Sequence, residues 1–206
     1  MNTKIIGITG GVGAGKSAVL NYIRDNYDCI IVTADDMGNE VKEPGGECYD
    51  RIVSLLGDDI LTEDGHIDRK KMASKIYADD TLLDKVNSII HPAVIDRIKR
   101  LGDEARKKGE IPYFFIEAAL LIETGFNDYV DEMWYIYADM DVRRQRLKAS
   151  RGYDDARIDG IMANQLSDEG YRAGSDVVID NSGDLADTAK QIDKYLGGIG
   201  DNGRQR

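Results

Sequence analysis

Short apolar runs alternate with amphipathic segments along the chain, which is the pattern of a parallel sheet covered by helices. Five runs are predicted strands: Lys4–Thr9, Cys29–Val32, Pro112–Glu117, Glu132–Tyr137 and Ser175–Asp180. Most are continuously apolar rather than alternating, as expected for strands that are buried on both faces. The predicted fold class is therefore α/β, a parallel five-stranded sheet with helices on both faces.

Apolar residues three or four positions apart predict helices between these strands. Outside the central part of the chain, the predicted helices are residues 17–25, 141–150, 155–166 and 185–196. Residues 197–206 are rich in glycine and polar side chains, which predicts a disordered tail.

The central block, residues 36–106, contains no convincing strand, and we expect a helical region inserted between the second and third strands. Asp68 is the predicted N-cap of a helix that runs to Ile76. One further helix is expected to end near Ile90. Pro92 is then predicted to begin a new helix, because proline suits the first helical turn and disrupts the interior.

Composition and charge narrow the class of protein. The 206 residues are enough for one sizeable α/β domain, and a net charge of -11 argues against a nucleic-acid partner. We expect no signal peptide, and no stretch of the sequence is apolar enough to span a bilayer, so no membrane partner is expected. Cys29 and Cys48 lack metal-ligand spacing and are expected to be reduced thiols in a cytoplasmic protein.

A phosphate-loop pattern, Gly-Gly-Val-Gly-Ala-Gly-Lys-Ser, occupies Gly10–Ser17 between the first predicted strand and the first predicted helix. Glycines allow successive backbone N–H groups to line an anion site, and the positive end of the helix favours phosphate. Lys16 is expected to reach the β- and γ-phosphates of a nucleoside triphosphate, and Ser17 to ligate Mg²⁺. The expected nucleotide-binding residues here are Gly11, Val12, Gly13, Ala14, Gly15, Lys16, Ser17 and Ala18.

A pair of carboxylates, Asp35 and Asp36, follows the second predicted strand. Ligands of open α/β sheets bind at the carboxyl ends of strands, so either residue is a candidate for accepting the proton of an attacking hydroxyl or for holding Mg²⁺. The structural alternative is a helix N-cap. The segment also matches the Asp-x-x-Gly element of GTPases, but no Asn-Lys-x-Asp guanine-recognition motif accompanies it.

Basic side chains are dense after the fourth strand, from Arg143 to Arg151, with Arg172 further on. Arginines that close over a transferring phosphoryl group stabilise its negative charge, whereas the structural alternative is a solvated basic face. His91 precedes Pro92 and is more often a structural than a catalytic residue in such a context.

The order and spacing of motifs from about residue 4 to residue 195 resemble those of dephospho-CoA kinases. The motifs that carry the resemblance are Thr9–Ser17, Ala34-Asp35, Glu43-Pro44-Gly45, Gly57, Asp64-Gly65, Ile67-Asp68-Arg69, Asn87, His91-Pro92, Leu120–Glu123, Gln165 and Val178–Gly183. The His-Pro, Leu-Leu-x-Glu and Ile-Asp-Asn-Ser-Gly elements together are far more specific than the phosphate loop alone.

The resemblance implies ATP-dependent phosphorylation of the ribose 3′-hydroxyl of dephospho-CoA, giving CoA and ADP. It implies one kinase domain over residues 1–200, with the core in 1–35, 107–145 and 171–196, a CoA-binding region in 36–106 and a lid in about 146–170. The implied roles are Asp35 and Lys16 in catalysis, Arg146, Arg151 and Asn181 at the nucleotide, and Asp35, Arg69, His91, Glu117 and Arg172 at the substrate. The expected partners are ATP with Mg²⁺ and dephospho-CoA, in a monomer or small homo-oligomer.

Three departures from the family pattern affect the site. Thr33 stands where the family usually has a first aspartate, and Glu117 stands where it usually has an aspartate. Arg146 and Arg151 are one residue further apart than expected. Two alternatives stay open: a kinase of another small metabolite or nucleoside monophosphate, and a nucleotide-dependent switch or binding module.

Overall fold

The computed structural model describes residues 2–197, apart from the side chain of Asp80. Except for Gly197, the predicted disordered tail lies outside the described residues. The strands are β1 (Lys4–Thr9), β2 (Cys29–Thr33), β3 (Tyr113–Glu117), β4 (Glu132–Tyr137) and β5 (Val177–Asp180). The helices are α1 (Lys16–Asn26), α2 (Ala34–Glu40), α3 (Tyr49–Leu56), α4 (Arg69–Ala78), α5 (Asp80–Lys108), α6 (Met140–Arg151), α7 (Asp155–Ala163), α8 (Asp168–Ala173) and α9 (Leu185–Leu196).

One five-stranded sheet runs in the order β2-β3-β1-β4-β5. The central strand β1 pairs in parallel with β3 and β4, and β4 pairs in parallel with β5. Ile8 is opposite Glu117 in β3 and Trp134 in β4, so the carboxyl ends of these strands share one sheet edge. The α/β fold class predicted from the apolar runs is confirmed.

Side chains alternate between the two faces of the sheet, and each face packs against helices. On one face, Trp134 and Ile136 belong to a buried cluster with residues of α1 and α9, among them Ile23 and Ile192. On the other face, Tyr135 stacks on Tyr171 of α8 with ring centroids 4.8 Å apart. Burial on both faces explains why the strand sequences are continuously apolar.

The chain divides into two compact units. One comprises the described residues up to Ile31 and from Ala105 onward, and it contains β1, β3, β4, β5 and the helices that follow β4. The other is Val32–Glu104, which contains α2, α3, α4 and most of α5.

In Val32–Glu104, the start of α4 agrees with a local capping signal, whereas α5 continues past a residue that locally predicts a helix start. Asp68 caps α4 as predicted, accepting hydrogen bonds from the N–H groups of Lys70 and Lys71. The predicted helix start at Pro92 is wrong, because α5 continues through this residue. Buried side chains on both sides of the proline, such as Ile89 and Val94, stabilise the uninterrupted helix through packing.

Two boundaries after β4 were also predicted incorrectly. Helix α7 ends at Ala163, where residue 166 was expected, and α8 was not predicted as a helix. Ser167 caps α8 by accepting a hydrogen bond from the N–H of Gly170 at 3.1 Å. A serine followed by two acidic residues is the local signal that marks this short helix.

Asp131 anchors β1 from the segment that precedes β4. Its carboxylate accepts hydrogen bonds at 2.7 Å from the N–H of Ile5 and from Arg106. Burial acts to raise the pKa of Asp131, but the bonds from Arg106 and Ile5 outweigh it and hold the pKa below its usual range. The anionic form is therefore favoured in the folded protein.

We expect Asp131→Asn to lower the free energy of unfolding by about 1 kcal/mol at neutral pH, a modest value because solvent screens this half-exposed carboxylate. The difference from the unaltered protein should vanish on acidification, as the pH falls below about 4 through the lower pKa of the folded state. Urea unfolding between pH 3 and pH 7 measures it. Asp128→Asn, on an exposed aspartate nearby, is the control, and equal losses in both variants would contradict the role of Asp131.

Candidate functional site

The phosphate loop, Gly10–Ser17, connects β1 directly to α1. Gly15 precedes the helix in a left-handed conformation with φ 88°, which glycine adopts without strain. The first turn of α1, which is fully described, contains no acidic residue to neutralise the positive end of the helix dipole. The positive end of this helix, at the end of a central strand, is an environment that favours an anion.

Lys16 is held in place by two oxygen atoms. Its Nζ donates a hydrogen bond to the carbonyl oxygen of Gly10 at 2.8 Å and lies 3.5 Å from Oε1 of Glu117, the last residue of β3. The side chains of Lys16 and Glu117 are only 16% and 18% exposed. This geometry keeps the ammonium group beside the loop, where it can neutralise phosphate charge.

Asn181, directly after β5, supports the loop from a distant part of the chain. Its Nδ2 donates to the carbonyl oxygen of Ala14 at 2.7 Å, and its Oδ1 accepts from Thr188 at 2.9 Å. A Cβ atom at Gly15 would collide with Nδ2 of Asn181. Glycine at position 15 is thus required both by its backbone conformation and by this close approach.

Helix α6 presents two arginines to the loop, one turn apart. Arg146 donates to the carbonyl oxygen of Asn181 at 2.8 Å and to that of Ala14 at 3.4 Å. Arg143 donates from Nε to the carbonyl oxygen of Val12 at 2.9 Å. Local cations thus surround the loop although the chain as a whole carries a net charge of -11.

Gln165 is a site residue whose position the sequence did not indicate. Its Oε1 accepts a hydrogen bond from the N–H of Val12 at 3.0 Å and another from Arg143 at 3.3 Å. In the sequence, Gln165 is one of the motifs that resemble dephospho-CoA kinases. A glutamine near the end of the predicted helix 155–166 gives no local signal of a contact with residue 12.

Two more arginines of the predicted nucleotide and substrate sites, Arg151 and Arg172, lie elsewhere. Arg151 is at the end of α6, with its guanidinium 5.9 Å from the ring centroid of Tyr153, and within residues 2–197 it makes no hydrogen bond to the loop. Arg172 donates to Asp168 at 2.8 Å and lies 4.9 Å from the ring centroid of Tyr137.

A cavity of about 430 Å³ lies among β4, α6 and the α7–α8 connection, and its lining includes Arg143, Gln165, Tyr135, Tyr137 and Asp168. Tyr135 donates a hydrogen bond to Asp168 at 3.1 Å. Burial raises the pKa of Tyr135, and the bond to Asp168 raises it further, so the phenol remains protonated at neutral pH.

In the unit Val32–Glu104, the structure distinguishes the two candidate aspartates. Thr33 caps α2, accepting from the N–H of Asp36 at 3.0 Å and donating to its carboxylate at 2.8 Å. Among the described groups, none donates a hydrogen bond to the carboxylate of Asp35. The capping role that the sequence left open for both aspartates therefore belongs to Thr33, and Asp35 remains the candidate for proton transfer.

Charged groups of the same unit converge around Lys42. Its pKa is lowered first by burial and then by the charge of Arg69, while the charges of Glu43 and Asp35 act to raise it. Within the described residues, neither Lys42 nor Arg69 forms an ion pair. His91 lies in the middle of α5 with an exposed side chain, so it does not precede a helix start as expected.

Few side chains are available as metal ligands, and the donors that they offer are oxygen atoms. Within residues 2–197, no group of three or more histidine, cysteine or acidic side chains is arranged to hold a metal ion. Ser17 presents an exposed side chain in the first turn of α1. Oxygen donors of this kind fit Mg²⁺, which takes most of its ligands from phosphates and water.

A phosphate loop after the first strand of a parallel α/β sheet, with arginines from the helix after β4 on that loop, defines a phosphate-loop kinase. The profile of the dephospho-CoA kinase family matches residues 4–187. This chain therefore belongs to the dephospho-CoA kinase family.

Similar proteins support this membership. A dephospho-CoA kinase of Geobacter sulfurreducens is 36% identical over 190 residues, covering 92% of this chain and 95% of the relative. One of Streptococcus mutans is 32% identical over 195 residues, covering 94% and 96%.

Solved structures share the fold. A protein from Thermus thermophilus has a TM-score of 0.74 at 24% identity, covering 95% of this chain and 97% of that one. A dephospho-CoA kinase from Campylobacter jejuni has a TM-score of 0.67 at 17% identity, covering 95% and 96%. In the described part of this chain, no helix is long and apolar enough to cross a membrane.

We expect Gly15→Ala to weaken ATP binding by about tenfold or more, because the new Cβ displaces Asn181 and distorts the anion site. Calorimetric titration with ATP and Mg²⁺ measures the effect. Gly125→Ala is the matched control: Gly125 also has a positive φ, 75°, but no atom lies within 4 Å of the added Cβ. Comparable ATP affinities in the two variants would contradict the steric role assigned to Gly15.

Proposed function

We propose that the protein transfers the γ-phosphoryl group of ATP to the ribose 3′-hydroxyl of dephospho-CoA, releasing CoA and ADP. This is the last step of coenzyme A synthesis. The observation that carries the proposal is the phosphate loop with Lys16 fixed between Gly10 and Glu117, in a chain that belongs to the dephospho-CoA kinase family. Backbone amides, Lys16 and the nearby arginines supply the charge stabilisation that phosphoryl transfer requires.

The nucleotide is proposed to bind along the loop from Gly11 to Ala18. Lys16 neutralises the phosphates, and Arg146 and Asn181, which are bonded to each other and to Ala14, hold the far side of the nucleotide site. Arg151, which lies in the predicted lid, is proposed to contact the phosphates of ATP.

Mg²⁺ is proposed as the cofactor, bound with ATP. Ser17 would supply a protein oxygen ligand, and the metal would neutralise charge on the phosphates. Glu117 is proposed to contact the substrate beside Lys16, since its carboxylate already lies 3.5 Å from that ammonium group.

Asp35 is proposed as the general base. In the reaction, the bond between the ribose oxygen and the γ-phosphorus forms as the bond to ADP breaks, and the hydroxyl proton passes to the carboxylate of Asp35. Support comes from its place two residues after β2 and from the absence of any hydrogen bond to its carboxylate among the described groups. The carboxylate of Asp36, in contrast, accepts a hydrogen bond from the hydroxyl group of Thr33.

The acceptor, dephospho-CoA, carries phosphate groups of its own. Basic side chains that form no ion pair within the protein are suited to bind such groups. Arg69 is proposed to bind the acceptor on the surface it shares with Lys42 and Asp35, as their mutual electrostatic influence supports. His91 and Arg172 are proposed as further acceptor contacts. A cytoplasmic location and a monomeric or small homo-oligomeric state remain predictions.

Product analysis tests the activity directly. The protein is mixed with ATP, Mg²⁺ and dephospho-CoA, and the products are identified by mass and by phosphorus NMR. We expect one added phosphate on the 3′-oxygen, and none with Lys16→Met. Transfer only to another metabolite would indicate a different small-molecule kinase, and ADP release without acceptor phosphorylation would indicate a switch or ATPase.

We expect Asp35→Asn to lower kcat by about a hundredfold or more, the scale of lost general-base catalysis, with ATP affinity nearly unchanged. Steady-state kinetics with saturating dephospho-CoA measures it. Asp36→Asn, at the neighbouring carboxylate bonded to Thr33, is the control and should retain most of kcat. Near-normal turnover of Asp35→Asn, or a larger loss in Asp36→Asn, would remove Asp35 from the proton-transfer step.

A further inference from the structure

Two side chains from distant parts of the chain hold the backbone of Val12, one at its N–H group and the other at its carbonyl oxygen. The N–H of Val12 donates to Oε1 of Gln165 at 3.0 Å, and its carbonyl oxygen accepts from Nε of Arg143 at 2.9 Å. Nη2 of Arg143 also donates to Oε1 of Gln165, at 3.3 Å. The three hydrogen bonds form a closed ring, and we refer to Gln165 and Arg143 together as the Val12 clamp.

The clamp acts on the orientation of the loop peptides. In an anion-binding nest, N–H groups converge on the ligand while carbonyl oxygens turn outward. Arg143 and Arg146, one turn apart in α6, donate to the outward carbonyl oxygens of Val12 and Ala14. These bonds favour the loop conformation that presents its amides to phosphate.

Arg143 is also packed against the loop backbone. A Cβ atom at Gly11 would collide with its guanidinium, so glycine at position 11 is what allows this approach. Gln165 reaches the loop from the connection between α7 and α8. Through the clamp, the segment between α7 and α8 is therefore bonded directly to the loop.

We propose that Gln165 and Arg143 act as one positioning unit for phosphoryl transfer, by fixing the Val12 peptide groups against the lid segment. The inference rests on the proposed kinase activity. Neither residue is assigned a proton-transfer role: the clamp sets where the loop amides point. Asn181, Arg146 and Lys16 hold the loop at other points, so ATP binding persists without the clamp while the geometry of transfer is lost.

The test is a double-mutant cycle with Gln165→Leu, Arg143→Met and the double variant. Each single change should lower kcat by about tenfold to a hundredfold, the cost of a misplaced reacting group, with the ATP dissociation constant changed less than about threefold. The double variant should be no worse than the more impaired single variant, because the two residues form one ring.

Gln165→Glu distinguishes positioning from simple packing. Glutamate retains an acceptor oxygen for the N–H of Val12 and for Arg143, whereas leucine has a similar size and no acceptor. We expect Gln165→Glu to keep kcat within about fivefold of the unaltered enzyme. If Gln165→Leu fails to fold, Gln165→Met, which also lacks a carbonyl acceptor, carries the same test with and without Arg143→Met.

Matched controls lie on α6, the helix that carries Arg143. Gln145→Leu makes the same change at an exposed glutamine of α6, and Arg144→Met alters an arginine that forms ion pairs with Asp155 and Asp159. Both should retain normal kcat. Strictly additive losses in the double variant, near-normal kcat in Gln165→Leu, or equal losses with leucine and glutamate would each overturn the proposal. Failure of the kinase assignment itself would instead appear as absent transfer by the unaltered protein.

Discussion

The structure depends on one constraint, the sharp change of direction of the chain between the end of β1 and the start of α1. Only glycine permits both the left-handed conformation at Gly15 and the close approach of Asn181 to it. Because β1 is central in the sheet and paired on both sides, the loop begins from a strand that two neighbours support. An anion site built from main-chain dipoles costs little reorganisation when phosphate arrives.

Charge is organised locally against an unfavourable background. The chain carries a net charge of -11, yet Lys16, Arg143 and Arg146 all contact the phosphate loop or its supports. A carbonyl oxygen directs each of the three, and within residues 2–197 neither Arg143 nor Arg146 forms an ion pair with a carboxylate. Lys16 differs from the two arginines, because its ammonium group also lies 3.5 Å from the carboxylate of Glu117.

Sequence reasoning predicted the strands and the phosphate loop because those signals are local. Apolar runs marked all five strands, and a helix after Gly15 followed from the loop pattern. It failed at Pro92, where burial of side chains on both sides of the proline outweighs the local preference for a helix start. It also missed α8, whose six residues are too few to establish a helical period.

By itself the sequence determined the fold class, the place of the phosphate loop and the family to which the chain belongs. Tertiary structure alone decided which distant side chains reach that loop. Asn181 contacts Ala14 across 167 positions of sequence, and Gln165 contacts Val12 across 153. Periodicity and motifs report interactions within a few residues, whereas these hydrogen bonds exist only after the sheet has brought the carboxyl ends of β1, β4 and β5 to one edge.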